Sequence, residues 1–198
     1  DCDMSLISAL CVILANPVAA EKISLNEISA YFNDMVTAEA QFSQFSDTGE
    51  TTTGRLYIRR PGRIRFEYDP PDATLVVVGG GQVAVFDPKS RDEPLRFPLR
   101  HSPLNLVLER EVDLAQRDMV VAHFEAGSET AVTLQDPENP DYGFIQLIFT
   151  DNPVQLRQWV VQDNSGGRTQ IVLDSLTEGG RVSNVLFNIQ YEMQKRSE

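Results

Sequence analysis

In the segment Gly54-Arg-Leu-Tyr-Ile-Arg-Arg-Pro-Gly-Arg-Ile-Arg-Phe-Glu-Tyr68, apolar and polar side chains alternate on both sides of Arg60-Pro61-Gly62. Residues two apart share one face of a strand, so Ile64, Phe66 and Tyr68 fall on one side and Arg63, Arg65 and Glu67 on the other. The segment therefore reads as an antiparallel hairpin with one greasy face and one charged face. The greasy face has to be laid against a core or a ligand.

The same period of two runs through most of the chain. It predicts strands over residues 38–45, 54–59, 63–68, 74–78 and 82–86, with Gly79-Gly80-Gly81 turning between the last two. A second series is predicted over 119–126, 130–135, 144–150, 155–162, 169–176 and 183–189. Asp151-Asn152-Pro153 and Asn164-Ser165-Gly166-Gly167 supply turn chemistry between them. One stretch departs from the pattern. Leu25, Ile28, Tyr31, Phe32 and Met35 recur at three- and four-residue steps, which predicts a helix over 23–36 opened by a Ser24/Glu27 capping box. Pro88, Pro94 and Pro98 mark an irregular stretch, followed by a short helix at 103–108 with Pro103 in its first turn and another turn at 112–115. Residues 191–198 read as a polar, frayed tail. Ten or more antiparallel strands in one sheet curl, and so few helices do not fill the concavity solidly; an enclosed cavity is expected.

Composition narrows the function. A chain of 198 residues, 41% of them hydrophobic, fits one domain with a core or a lined cavity. A formal net charge of −12 argues against nucleic acid as a partner. At the start, the apolar run 6–15, Asn16-Pro17 and the small residues Val18-Ala19-Ala20 read as a signal peptide over residues 1–20, too short to span a bilayer. Its flank lacks Lys or Arg, so Met4 or an upstream segment is the expected true start. Both cysteines, Cys2 and Cys11, lie inside this leader, which leaves residues 21–198 without a thiol. Lipidation at Cys11 is disfavoured because Ser8-Ala9-Leu10 fits that signal poorly.

Catalytic signatures are lacking. His101 and His123 are the only histidines and have no metal-ligand spacing. No Gly-x-Ser-x-Gly elbow, phosphate loop or dinucleotide fingerprint occurs, and Asp92-Glu93 and Glu109/Glu111 read as solvated charge rather than paired catalytic carboxylates. No enzyme activity, metal or cofactor is expected.

Three stretches, in order, carry a family resemblance: Gly54-Arg-Leu-Tyr-Ile-Arg-Arg-Pro61 into Phe66; Thr74-Leu-Val-Val through Gly80 to Val85-Phe86-Asp87-Pro88; and Leu156-Arg-Gln-Trp-Val-Val-Gln-Asp163 through Gly166 to Thr169. Over residues 21–198 the chain resembles the LolA family of periplasmic lipoprotein carriers. The resemblance implies a mainly β (α+β) fold: an incomplete antiparallel β-barrel, or half-barrel, lidded by helices and enclosing a hydrophobic cavity. It implies that Arg60 bonds to lid backbone and locks the lid until cargo enters; on position alone Arg60 is a surface arginine before a turn. It implies that Leu56, Ile58, Ile64, Phe66, Val76, Val83, Val85 and Trp159 face the acyl-chain cavity; on period alone they are ordinary core. Ala84 stands where relatives often carry Trp and is expected to reshape the pocket. Gly79 stands where they usually carry Asp and is expected only to soften a turn. The implied function is a monomeric periplasmic chaperone. It accepts acylated lipoproteins from an inner-membrane ABC-type release complex and gives them to an outer-membrane receptor where one is present. A LolA-like lipid or lipoprotein sensor and a general small-lipid carrier remain as other readings.

Overall fold

The computed structural model describes residues 21–198; the expected signal peptide over residues 1–20, with both cysteines, lies outside the described residues. Helix α1 (Leu25–Asp34) is followed by strands β1 (Thr37–Ser46), β2 (Thr51–Arg59), β3 (Arg63–Tyr68), β4 (Leu75–Gly79), β5 (Gln82–Phe86) and β6 (Leu95–Pro98). A 3₁₀ turn (Leu99–His101) and the single-turn helix α2 (Asn105–Leu108) lead into β7 (Val120–Ala126) and β8 (Glu129–Gln135). After a 3₁₀ turn at Pro140–Tyr142 come β9 (Phe144–Thr150), β10 (Gln155–Gln162), β11 (Arg168–Glu178), a 3₁₀ turn (Asn184–Phe187) and helix α3 (Ile189–Ser197).

All eleven strands form one antiparallel sheet in the order β6-β5-β4-β3-β2-β1-β11-β10-β9-β8-β7. The first and last strands pair at its centre, for instance Phe42 opposite Leu173, and each half meanders outward from there. The sheet is open, with β6 and β7 at its two edges. Those edges are consecutive in sequence, so the intervening chain has to cross from one edge of the sheet to the other. The sheet is also strongly curled. Phe66 on β3 and Trp159 on β10 stand four strands apart, about 19 Å on a flat sheet. Their rings are nevertheless 6.5 Å apart in edge-to-face contact. The inner faces of both halves thereby share one core with α1 and α2. Within it an aromatic row runs from Tyr68 through Phe42 and Phe66 to Trp159.

The expected capping box is present: Ser24 and Glu27 exchange side-chain and backbone bonds, and the amide and hydroxyl of Ser24 hold the Glu27 carboxyl below its usual value. The helix is shorter at both ends than its apolar stripe predicts. Ile23 is extended, its amide donating to Thr130 Oγ1 at 2.9 Å, and the Val36 carbonyl accepts from the Arg60 amide at 2.8 Å. The proline-punctuated stretch contains β6, whose register with β5 runs from Val85–Leu95 to Gln82–Pro98. The turn expected at 112–115 is present slightly downstream, as a single turn closed by the Arg117 amide donating to the Asp113 carbonyl at 3.2 Å, with the Leu114 amide donating to Ser29 Oγ at 3.0 Å.

The largest departures from expectation lie on the outer face. Residues 183–189 are no strand, and residues 191–198 are no frayed tail: they form the last 3₁₀ segment and α3, a strap packed across the outside of β3–β5. Asn188 caps α3 by accepting from the Tyr191 amide at 2.9 Å. Ile189 and Met193 then cover Leu75, Val77, Ala84 and Phe86 in a small separate core. Ala84 thus points away from the cavity, and its small side chain lies beneath α3 rather than reshaping a pocket. Gly79 does more than soften a turn. A Cβ there would stand 2.1 Å from the Phe187 carbonyl oxygen, so the close approach of this segment needs glycine.

The charged face of the hairpin is what holds the strap. Arg59 Nη1 donates to the Val182 carbonyl at 2.7 Å and Arg63 Nη1 to Asn184 Oδ1 at 2.7 Å. Buried Arg65 donates to the Leu186 carbonyl at 3.0 Å, pairs with Glu67 at 2.8 Å and lies 3.6 Å from buried Glu192. Arg196, itself 3.4 Å from Glu192, sits over the Phe86 ring at 4.7 Å.

Two consequences are measurable. Glu192→Ala leaves Arg65, Lys195 and Arg196 facing one another and is expected to cost about 2 kcal/mol in urea unfolding. It should also open residues 182–198 to limited proteolysis. Burial pushes the Tyr68 phenol up to about 12. Because the folded chain keeps this proton while the unfolded chain loses it near pH 10, stability is complete below pH 10 and falls as pH rises toward 12. Urea titrations of Tyr68→Phe should show a shallower alkaline loss than wild type, by up to about 1.4 kcal/mol per pH unit.

Candidate functional site

Alternation along the strands directs one continuous apolar surface toward the helices. Leu56, Ile58, Ile64, Phe66, Val83 and Trp159 are buried in the common core, while Val76 and Val85 are half-buried against it. Between this surface and the helices lies a cavity of about 30 Å³. Ile58, Arg60, Ile64 and Trp159 line it; Leu56, Phe66, Val76, Val83 and Val85 lie elsewhere on the same apolar surface.

The rest of the cavity wall comes from residues that the sequence argument did not single out. Phe32 of α1, the residue Met35 that caps it, and Leu104, Val107 and Leu108 in and beside α2 close it from above. Ile145 and Leu147 of β9, Leu156 of β10 and Leu176 of β11 close it from the C-terminal half of the sheet. The signal for the strand residues was available: Ile145, Leu147 and Phe149 alternate as cleanly as Ile64 and Phe66. A gap of 30 Å³ is the share of a single water molecule, and its walls are apolar. With α1 and α2 lying on the sheet, the interior is therefore packed shut. Lifted away, they would uncover an apolar trough formed by β2, β3, β9, β10 and β11.

One charged side chain enters this interior. Arg60, at the end of the β2–β3 hairpin, is buried, with 7% of its surface exposed. Its Nε donates to the Val107 carbonyl at 3.0 Å and its Nη2 to the Glu109 carbonyl at 2.5 Å. Nη1 donates to the Phe32 carbonyl and makes a longer bond, 3.5 Å, to Met35. These carbonyls lie at the C-terminal ends of α1 and α2, where acceptor capacity is left over; Phe32 also accepts from the Met35 amide at 3.2 Å. Neither helix has a basic residue in its own last turn, so a strand supplies the cation that the negative ends of both helix dipoles favour. The partners are carbonyl dipoles rather than a carboxylate. Burial draws the Arg60 guanidinium below its ordinary value, although an arginine remains charged.

The two lid elements are also joined to each other. Asn33 of α1 pairs its side-chain amide with the backbone of Val112, donating and accepting at 2.8 Å each. Ser29 accepts from Leu114, and the Gly62 amide reaches the Leu108 carbonyl at 2.8 Å. The helix and the crossing chain thus form one layer, fastened to the sheet at the hairpin. No nucleophile, general base or cluster of three metal-ligating side chains faces the interior among the described residues. The arrangement offers an apolar surface under a removable cover.

The chain is similar to known proteins. The family profile described as "Outer membrane lipoprotein carrier protein LolA" matches residues 33–190. An outer-membrane lipoprotein carrier protein of Azotobacter vinelandii is 29% identical over 177 residues, covering 84% of this chain and 83% of that protein. Its counterpart in Chromohalobacter salexigens is 26% identical over 187 residues, covering 89% of this chain and 88% of that protein. Among solved structures, a DUF1329 family protein from Desulfovibrio piger superposes with a TM-score of 0.50 at 10% identity, covering 83% of this chain and 94% of that one, a likeness of fold alone.

Proposed function

Because the chain belongs to the LolA family of outer membrane lipoprotein carrier proteins, we propose that it is a periplasmic chaperone that takes up acylated lipoproteins released from the inner membrane and carries them to the outer membrane. The observation that carries this reading is the apolar interior shut beneath a lid that Arg60 fastens through backbone carbonyls. A carrier needs such a surface and no catalytic group.

The energetics fit a temporary host. Each buried methylene is worth about 0.8 kcal/mol, so one long acyl chain gains on the order of 10 kcal/mol by leaving water. Admitting it requires the lid to rise, which breaks the bonds of Arg60. Bonds to a charged donor are worth about 1.5–3 kcal/mol each, but burying the guanidinium offsets most of this, so reclosing the lid returns on the order of 1–2 kcal/mol. Net affinity is therefore below the gross burial energy, and transfer to a better site runs downhill without a nucleotide in the carrier. Arg60 is suited to this role because a buried cation held by dipoles alone is only modestly favoured over a hydrated one. Leu56, Ile58, Ile64, Phe66, Val76, Val83, Val85 and Trp159 are the acyl-contacting surface in this scheme. The donor of cargo is an inner-membrane ABC-type release complex, and the acceptor is an outer-membrane receptor where one is present.

The reading is tested by adding the purified protein to spheroplasts that synthesise a labelled outer-membrane lipoprotein. Label is expected in a soluble one-to-one complex. Label that stays on the membrane while the protein binds palmitate would point to a general lipid carrier instead. For the latch, Arg60→Leu is expected to bind a fluorescent acyl probe roughly tenfold more tightly and to pass lipoprotein on at least about tenfold more slowly. Stopped-flow transfer at the wild-type rate would refute the role of Arg60.

A further inference from the structure

A cleft of about 590 Å³ lies not inside the half-barrel but against the outer side of α2, walled on its far side by the β8–β9 connection. The two sides of α2 divide cleanly. Leu104, Val107 and Leu108 face the apolar interior, whereas Asn105, Leu106 and Glu109 face the cleft. Leu106 and Met119 belong to the main core and also form part of the cleft wall, so one turn of helix is the partition between the two spaces. The rest of the wall mixes Pro103, Pro137 and Gly143 with amide groups and charges of both signs, with Asn139 and Tyr142 across from α2.

Resting on the carrier reading above, we propose that this cleft is the seat of the cargo's polypeptide: the first few residues that follow its acylated cysteine. The two parts of a lipoprotein are covalently joined and opposite in chemistry. An acyl chain drawn under α2 leaves whatever it is attached to at the other side of α2, where amide, hydroxyl and charged groups join the apolar lining. The volume lies in the usual range for a specific ligand site. Amide and hydroxyl groups such as those of Asn105, Asn139 and Tyr142 can both donate to and accept from a peptide backbone without reading its sequence, which suits a carrier of many cargoes.

Glu109 ties the cleft to the latch. Its carbonyl accepts from Arg60 inside, while its carboxylate pairs with Arg117 at 2.8 Å on the cleft side. A peptide seated there touches the residue whose backbone fastens the lid, so cargo with a peptide and cargo without one are held differently.

The test uses two probes, palmitate and a synthetic hexapeptide whose N-terminal cysteine carries a dipalmitoylglyceryl group. Asn139→Trp fills the cleft from its far wall. It is expected to weaken lipopeptide binding roughly tenfold and to leave palmitate within about twofold of wild type. Equal effects on both probes, or none on either, would overturn the assignment. Independently, p-benzoylphenylalanine at position 118, an exposed cleft residue, is expected to cross-link on illumination to the peptide part of the bound probe. Cross-links confined to the acyl chains, or none to a probe that remains bound, would also overturn it. Wild-type protein that binds palmitate but not the lipopeptide would overturn the carrier reading and this inference together, which separates the two failures.

Discussion

A single guanidinium joins the helices that cover the sheet to the sheet itself. Arg60 sits where a strand of the sheet ends, and its donors reach carbonyls at two helix termini. Helix ends buried without partners cost several kcal/mol, so the lid closes on Arg60 or it does not pack well at all. The choice of carbonyls over a carboxylate matters. A buried Arg–carboxylate pair would be expensive to separate, whereas dipoles give up the cation to water at modest cost.

The lid follows from topology. Two meanders that pair through β1 and β11 leave β6 and β7 as distant edges, yet these strands are neighbours in the chain. The connecting segment must pass over the opening, and α2 lies on that path. Asn33 and Ser29 bind the crossing segment to α1. A cover made from an obligatory connection cannot be lost by fraying, as a terminal one could.

Strict alternation made most of the sheet legible in the sequence, and the Arg-Pro-Gly hairpin with its inward Ile64 and Phe66 located the inner surface. The C-terminal strap was not legible. Its apolar contribution, Ile189 and Met193, is one pair at helical spacing in an otherwise polar segment, too little to register as an amphipathic stripe. The partner face did leave a trace. Leu75-Val-Val-Val78 is apolar at every position, the signature of a strand covered on both sides, and Ala84 and Phe86 extend that outer face. The cavity walls from α2 and β9 were missed for a different reason. Which apolar residues line a gap, rather than fill a core, depends on how far the sheet curls, and alternation is silent on curvature.

The outward arginines have an effect beyond fastening the strap. A protein that shuttles between two lipid surfaces must not linger on either, and clustered basic side chains next to an apolar site are what draws proteins to anionic headgroups. Here Arg59, Arg63 and Arg65 are engaged by the protein's own backbone and carboxylates. The chain as a whole carries a formal charge of −12. With these three arginines already engaged and the net charge strongly negative, the molecule meets a negatively charged leaflet with net repulsion, and headgroup attraction alone does not hold it there.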